Sequence, residues 1–167
     1  MYCIIMQNVF KFNFAQQGSA IALQLDSNNV MMYGNIYQNN FALKGTTLFA
    51  TTVNGKRSTV QIINETITNS FTVDQGAITI NSENSNVLSI YVINSTFKDC
   101  YATNGGSIYG SNIATVVVQT SKFSFTSLVN ATNITAVIAP QYSPLNFVLY
   151  DLANLTFLNN ITSSVTY

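Results

Sequence analysis

Acid–base chemistry in this 167-residue chain would have to come from six carboxylates, Asp26, Glu65, Asp74, Glu83, Asp99 and Asp151. Two carboxyl groups facing one cleft can hydrolyse a glycoside, and an acidic cation site beside a base can eliminate an acidic polysaccharide. There is no histidine, which removes Ser-His-Asp and Cys-His nucleophile pairs, histidine-containing zinc sites and the commonest general base. The acids do not converge on one register of the repeat described below. Asp74 and Asp99 on neighbouring coils form the best remaining pair. Arg57 follows Lys56 just after Asn54-Gly55 and reads as a charged loop tip. Cys100 has no histidine to activate it, and it fits a small buried packing residue. Cys3 and Cys100 lack CxxC spacing, so neither a disulfide nor a metal site is expected. No catalytic residue, metal ligand or cofactor is assigned.

Composition narrows the class further. The chain is 47% hydrophobic and 7% charged with a net charge of zero, against roughly 25% charged in ordinary soluble domains. Asn, Ser and Thr must therefore solvate its surface. A neutral chain has no footprint for displacing counterions from nucleic acid. Its longest apolar runs fall well short of the ~20 residues that span a bilayer, and the opening Met1 to Asn8 has no basic region of a signal peptide.

A repeat organises the sequence, and its period decides the fold. Large apolar residues at Phe10, Ile36, Ile67, Phe97, Phe123 and Phe157 are spaced by 26, 31, 30, 26 and 34 residues. Three positions after each come Asn13, Asn39, Ser70, Cys100, Thr126 and Asn160. A second apolar column, Ile21, Leu48, Ile78, Ile108 and Ile134, follows the first by 11, 12, 11, 11 and 11 residues. Small residues such as Gly18-Ser19-Ala20 and Gly45-Thr46-Thr47 precede the second column, where a bulky Cβ would block a tight turn. The intervening segments, including Ile62-Ile63, Leu88 to Val92, Val116 to Val118 and Phe147 to Tyr150, are β-branched or aromatic, and no helical period appears. One such unit cannot bury its apolar side alone, so stacked coils with parallel strands about 4.8 Å apart are expected. The expected fold is all-β, a right-handed single-stranded parallel β-helix of five to six coils over residues 1–167. An all-β sandwich is the alternative. Cys3 and Cys100, three coils apart, would lie roughly 14 Å from one another.

Phe10-Lys11-Phe12-Asn13 and Phe157-Leu158-Asn159-Asn160 fit a Phe-x-x-Asn tetrapeptide. Gln75-Gly76-Ala77-Ile78, Gly105-Gly106-Ser107-Ile108 and Gly18-Ser19-Ala20-Ile21 are variants of Gly-Gly-Ala-Ile. This pairing resembles the repeats of polymorphic outer-membrane proteins and related pectin-lyase-like right-handed β-helices, and repeats of this kind also occur in protist surface proteins. The resemblance implies a secreted or surface-displayed, often adhesive β-helix. Candidate glycosylation acceptors in Asn-x-Ser/Thr context are Asn64, Asn94, Asn130, Asn133, Asn154 and Asn160. Asn64, Asn94 and Asn154 each stand three residues before a first-column residue, which suits an outer polar ladder equally well. If Asn160 is an inward corner residue it cannot carry a glycan.

Taken together, the sequence predicts a non-catalytic extracellular or cell-surface module that is structural, adhesive, or binds glycans or surface proteins. The alternative is a polysaccharide lyase or glycoside hydrolase of the pectin-lyase-like fold. The uncapped strand-like ends predict a piece of a longer repeat protein with flanking coils.

Overall fold

The computed structural model describes residues 2–53, 55–82, 87–102, 106–111, 115–125, 147–150, 154–158 and 162–165. The chain winds as a solenoid. Its first turn contains β1 (Tyr2–Met6), β2 (Val9–Lys11), β3 (Phe14–Gln17) and β4 (Ile21–Leu25). The second repeats this with β5 (Asn29–Tyr33), β6 (Ile36–Gln38), β7 (Phe41–Lys44) and β8 (Leu48–Thr52). In the third, β9 (Ser58–Ile63), β10 (Thr66–Gln75) and β11 (Ile78–Asn81) complete the circuit, and in the fourth β12 (Leu88–Ile93), β13 (Thr96–Tyr101) and β14 (Ile108–Ser111) do so. Beyond these lie β15 (Thr115–Gln119), β16 (Lys122–Phe125), β17 (Phe147–Tyr150), β18 (Asn154–Leu158) and β19 (Thr162–Val165). Among the described residues the solenoid has about four turns, against the expected five to six, and β15 to β19 continue its three sheets.

Among the described residues every strand pairing is parallel and joins neighbouring turns, unlike the antiparallel hairpins of a sandwich. A first sheet runs β1-β5-β9-β12-β15-β18, and a second β2-β6-β10-β13-β16-β19, with β3 and β7 stacking onto the later half of β10. A third runs β4-β8-β11-β14-β17. Among the described residues no helix is long and apolar enough to cross a membrane.

Inward columns from all three sheets meet in the core. The second apolar column of the sequence is observed as Ile21, Leu48, Ile78 and Ile108 in register on the third sheet. Its next member is Phe147, not Ile134, which lies outside the described residues. The first column needs two corrections. Its second member is Tyr37, which pairs with Phe10 and Ile67 and is 0% exposed, whereas Ile36 points outward and is 42% exposed. Side chains alternate with period two along a strand, so a slip of one residue exchanges core for solvent. With Tyr37 in place the separation from Tyr37 to Leu48 is 11, as from Phe10 to Ile21, Ile67 to Ile78 and Phe97 to Ile108, whereas Phe123 and Phe147 are 24 residues apart. Its ring stacks on Phe10 at 5.1 Å and 4°. The last member is also displaced: Phe157 pairs with Val118 on the first sheet, and Ser163 follows Phe123 on the second. The tetrapeptide at Phe157 is therefore not structurally equivalent to the one at Phe10. On the core side of the first sheet, Ile5, Met32, Ile62, Val92 and Val118 form one column and the buried Val30, Val60 and Ile90 another.

Turns between sheets use left-handed backbone. Gly18 and Gly45 sit at φ +58° and +61°, and a Cβ on either would come within 2.3 Å of the carbonyl oxygen of Ile21 or Leu48. This is the steric demand that the small residues before the second column announce.

Candidate binding face and interior polar ladder

At the corner between the first and second sheets, two adjacent residues of each turn take opposite directions. Gln7, Gly34, Asn64, Asn94 and Thr120 all have positive φ between 48° and 65°. The following residues, Asn8, Asn35, Glu65, Ser95 and Ser121, turn inward, and all but Asn8 are buried. Each turn's side chain caps a backbone N–H of the turn before. Asn35 Oδ1 accepts from the Asn8 N–H at 2.9 Å, Ser95 Oγ from Glu65 at 3.1 Å, and Ser121 Oγ from Ser95 at 3.1 Å. Asn35 Nδ2 donates to Glu65 Oε1 at 2.8 Å and to the Ile5 carbonyl at 2.9 Å. The corner donors thereby find partners where neighbouring backbone cannot supply them.

Glu65 is the one ionisable member of this ladder. Burial pushes its carboxyl up to about 7, opposed by the Asn35 side chain and backbone N–H and by the Tyr37 hydroxyl. Tyr37 is itself pushed upward by burial and by the charge of Glu65. Neither Oε2 of Glu65 nor Oη of Tyr37 completes a hydrogen bond of good geometry. The pair faces the solenoid interior, where burial leaves no open cleft for substrate. Sequence reading treated Glu65 as an isolated acid. The signal for its true setting was the Asn, Asn, Glu, Ser, Ser series two residues before the corrected first column.

The remaining acids are scattered. Asp26 pairs with Lys56 at 3.0 Å and Asp74 with Lys44 at 3.7 Å, both at the surface. Asp99 lies at a positive-φ turn, in register between Lys98 opposite Thr68 and Cys100 opposite Ser70. That sets it level with Asn69, five positions before Asp74 along β10, while Asp74 pairs with Lys44. Glu83 and Asp151 lie outside the described residues. Arg57 is exposed beside Lys56, as a loop tip should be. Cys3 and Cys100 are both free. Burial, with Asp99 nearby, pushes the Cys100 thiol up to about 12, which suppresses the nucleophilic thiolate. Among the described residues no cluster of three or more Cys, Asp or Glu could hold a metal ion.

The expected polar corner of the second sheet is present with one change. Asn13, Asn40, Ser70 and Cys100 form it, with Asn40 Oδ1 accepting from the Asn13 backbone at 3.0 Å and side chain at 3.1 Å. Asn39, expected there, instead occupies a left-handed turn and accepts from Asn69 Nδ2 at 3.1 Å on the surface. This follows from the same one-residue correction that replaces Ile36 by Tyr37. Thr126 and Asn160 lie outside the described residues.

Of the candidate glycosylation sites, Asn64 and Asn94 share the expected outer ladder, with Asn94 Nδ2 donating to Asn64 Oδ1 at 2.7 Å. Asn154 does not: it pairs with Thr115 on the first sheet, because Phe157 is not a first-column residue. Asn130 and Asn133 lie outside the described residues.

Past that corner the second sheet carries an outer aromatic ladder that sequence reading missed. Phe14, Phe41 and Phe71 stack with ring centroids 5.0 and 5.3 Å apart and planes within 10°, and Tyr101 follows in register. Parallel rings this close cannot lie side by side in one plane, so they cover one another's faces. Phe14 is 77% exposed, with Phe12 at 76% and Phe71 at 50% exposure nearby. At about 200 Å² per aromatic side chain, these three alone expose roughly 400 Å² of apolar surface, within the range that marks interaction sites. Leu43 and Val73 extend the patch.

Comparisons with protein-family models, curated proteins and solved structures found no significant match to the chain.

Proposed function

We propose that the chain is a non-catalytic solenoid module of an extracellular or cell-surface protein, structural or adhesive, that binds glycan or protein along the aromatic ladder of its second sheet. The observation that carries this reading is the exposed patch around Phe14, Phe41 and Phe71, bordered by the Asn39–Asn69 ladder. Uncharged hydrogen-bonding groups beside apolar surface suit a neutral saccharide or an apolar protein surface. The outward ring edges of Phe41 and Phe71 suit protein contact. The dispersal of Asp26, Asp74 and Asp99, with Glu65 enclosed, supports binding over polysaccharide cleavage.

Arrays of neutral and acidic polysaccharides and of surface proteins test this directly, alongside assays for new reducing ends or unsaturated products with and without calcium. Binding without turnover is expected, with Phe14→Ala weakening saccharide binding at least tenfold. Turnover abolished by Asp74→Asn or Asp99→Asn would overturn the proposal.

A further inference from the structure

Backbone donors on the second sheet follow one rule from turn to turn. Ile36, Thr66, Thr96 and Lys122 each donate their N–H to the turn before, to the carbonyls of Asn8 at 2.9 Å, Asn35 at 3.0 Å, Glu65 at 2.8 Å and Ser95 at 2.8 Å. Five residues on, Phe41 donates to Asn13 at 2.9 Å and Phe71 to Asn40 at 3.0 Å. Val9 and Phe14 hold these two positions in the first turn, and among the described residues no strand lies on their far side. The corner amides beside them are used on one side only. Asn35 Oδ1 accepts from the backbone and side-chain N–H groups of Asn8 at 2.9 and 3.2 Å, and Asn40 Oδ1 from those of Asn13 at 3.0 and 3.1 Å. Asn8 and Asn13 are donors in these bonds, and among the described residues neither Oδ1 accepts one. The apolar interior is also less complete at this edge. Ile5 and Phe10 are only partly buried, whereas Met32 and Tyr37, one turn later, are 0% exposed.

We infer that the first-turn edge of the second sheet is a strand-docking site for an extended peptide that lies parallel to β2 and β3, with Asn opposite Asn8 and Asn13 and aromatic side chains opposite Phe10 and Phe14. The hydrogen-bonding groups select a polypeptide. At each corner an N–H donor stands beside an amide acceptor, and one peptide residue satisfies both through its own carbonyl and N–H. Its carbonyl accepts from Val9 as that of Asn8 accepts from Ile36, and its N–H donates to Asn8 Oδ1 as that of Asn8 donates to Asn35. A saccharide or a lipid has no such pair recurring five residues apart. The corners select asparagine. There the first-turn amide adds a second donor to the same Oδ1, whereas the hydroxyls of Ser95 and Ser121 in later turns donate to backbone carbonyls. The existing stacks select aromatic rings: Phe10 lies on Tyr37 at 5.1 Å and Phe14 on Phe41 at 5.0 Å, with planes within 4°. Such a peptide would also cover the half-buried Phe10. The site is an edge of the stack, and the inference stands independently of what the outer aromatic ladder binds.

Fluorescence anisotropy of a labelled peptide with the sequence of residues 8–17, titrated with the 167-residue chain, tests it. That sequence already lies on Tyr37 and Phe41 in the required register. Saturable binding with a Kd below about 1 mM is expected. N-methylating the peptide at its counterpart of Asn13, whose N–H faces the docked side, should weaken binding at least about fivefold. The same methyl at the counterpart of Lys11, whose N–H points away in a parallel ladder, should leave binding unchanged. In the protein, Val9→Pro removes the edge donor and keeps the bonds to β6, a substitution that edge strands tolerate. It should weaken binding at least about tenfold with circular dichroism unchanged, while Val9→Thr binds like the wild type. Should Val9→Pro fail to fold, the two methylated peptides decide between the outcomes. No binding at about 1 mM, or equal losses from the two methylations, would overturn the inference. Binding that survives Val9→Pro but is lost in Phe71→Ala would also overturn it and assign the peptide to the outer aromatic ladder.

Discussion

The residues Gly34, Asn64 and Asn94 and their immediate successors Asn35, Glu65 and Ser95 form two ladders one residue apart, and their environments are opposite. The first ladder is outside, held by left-handed backbone, with Asn94 bonded to Asn64 at the surface. The second is inside, each member buried and capping the backbone of the preceding turn. In water an asparagine ladder exchanges one set of hydrogen bonds for another, with a small net gain. In the interior the same groups have no solvent to fall back on, so each partner lost leaves a desolvated donor or acceptor. The difference lies in direction, not residue type.

The largest expected effect comes from breaking the inner ladder at its most connected member. Asn35→Leu keeps the volume close but removes the acceptor for the Asn8 N–H and the donors to the Ile5 carbonyl and to Glu65. Destabilisation of about 3–5 kcal/mol is expected at neutral pH, measured by denaturant unfolding.

Charge sharpens the comparison in the opposite sense. Because burial raises the Glu65 carboxyl from 4.5 to about 7, the folded chain binds more protons than the unfolded chain between those values. Its stability contribution is therefore full below about pH 4.5, declines as pH rises through 7, and is flat above. Glu65→Gln should flatten this profile. At pH 8 it should stabilise the fold by up to about 3 kcal/mol, and at pH 4 it should be nearly neutral. Unfolding curves at both values test the pair, and a variant less stable at pH 8 would contradict it.

The outer ladder should respond least. Asn94→Ala places a Cβ-bearing residue without a local hydrogen bond at φ 48°, which should cost about 1 kcal/mol. Asn94→Gly removes the same bond to Asn64 but tolerates the turn, so it should change stability by less than about 0.5 kcal/mol. Thermal unfolding of the two variants separates backbone strain from the hydrogen bond.

How much of this was legible in the sequence depended on how local the signal was. The third-sheet column and the glycines before it are readable through the fourth turn because its separation of 11 residues from the first column is constant there and because only small residues fit the turn. Ile36 fits the first column by sequence because an aliphatic side chain is the usual mark of a core position. Yet the tyrosine ring stacks on Phe10 while its hydroxyl faces Glu65, and this environment exists only once three turns are superposed. The outer ladder of Phe14, Phe41 and Phe71 was hidden for a related reason. Its members are separated by 27 and 30 residues and become neighbours only through strand pairing.

By itself, the sequence determined a coiled all-β architecture of about thirty residues per turn, the interval between two of its core columns over the first four turns, the need for small residues at one corner, and the absence of histidine. These follow from residue type and spacing along one chain. The tertiary structure alone decided which of two adjacent residues faces the core, where Phe157 belongs, and that Glu65 is enclosed by Asn35 and Tyr37 instead of facing another acid. Each of those depends on the left-handed residues that reset the alternation of side chains at every corner, and on contacts between residues a full turn apart, where neither the sign of φ nor the neighbour in the next coil is written in the local sequence.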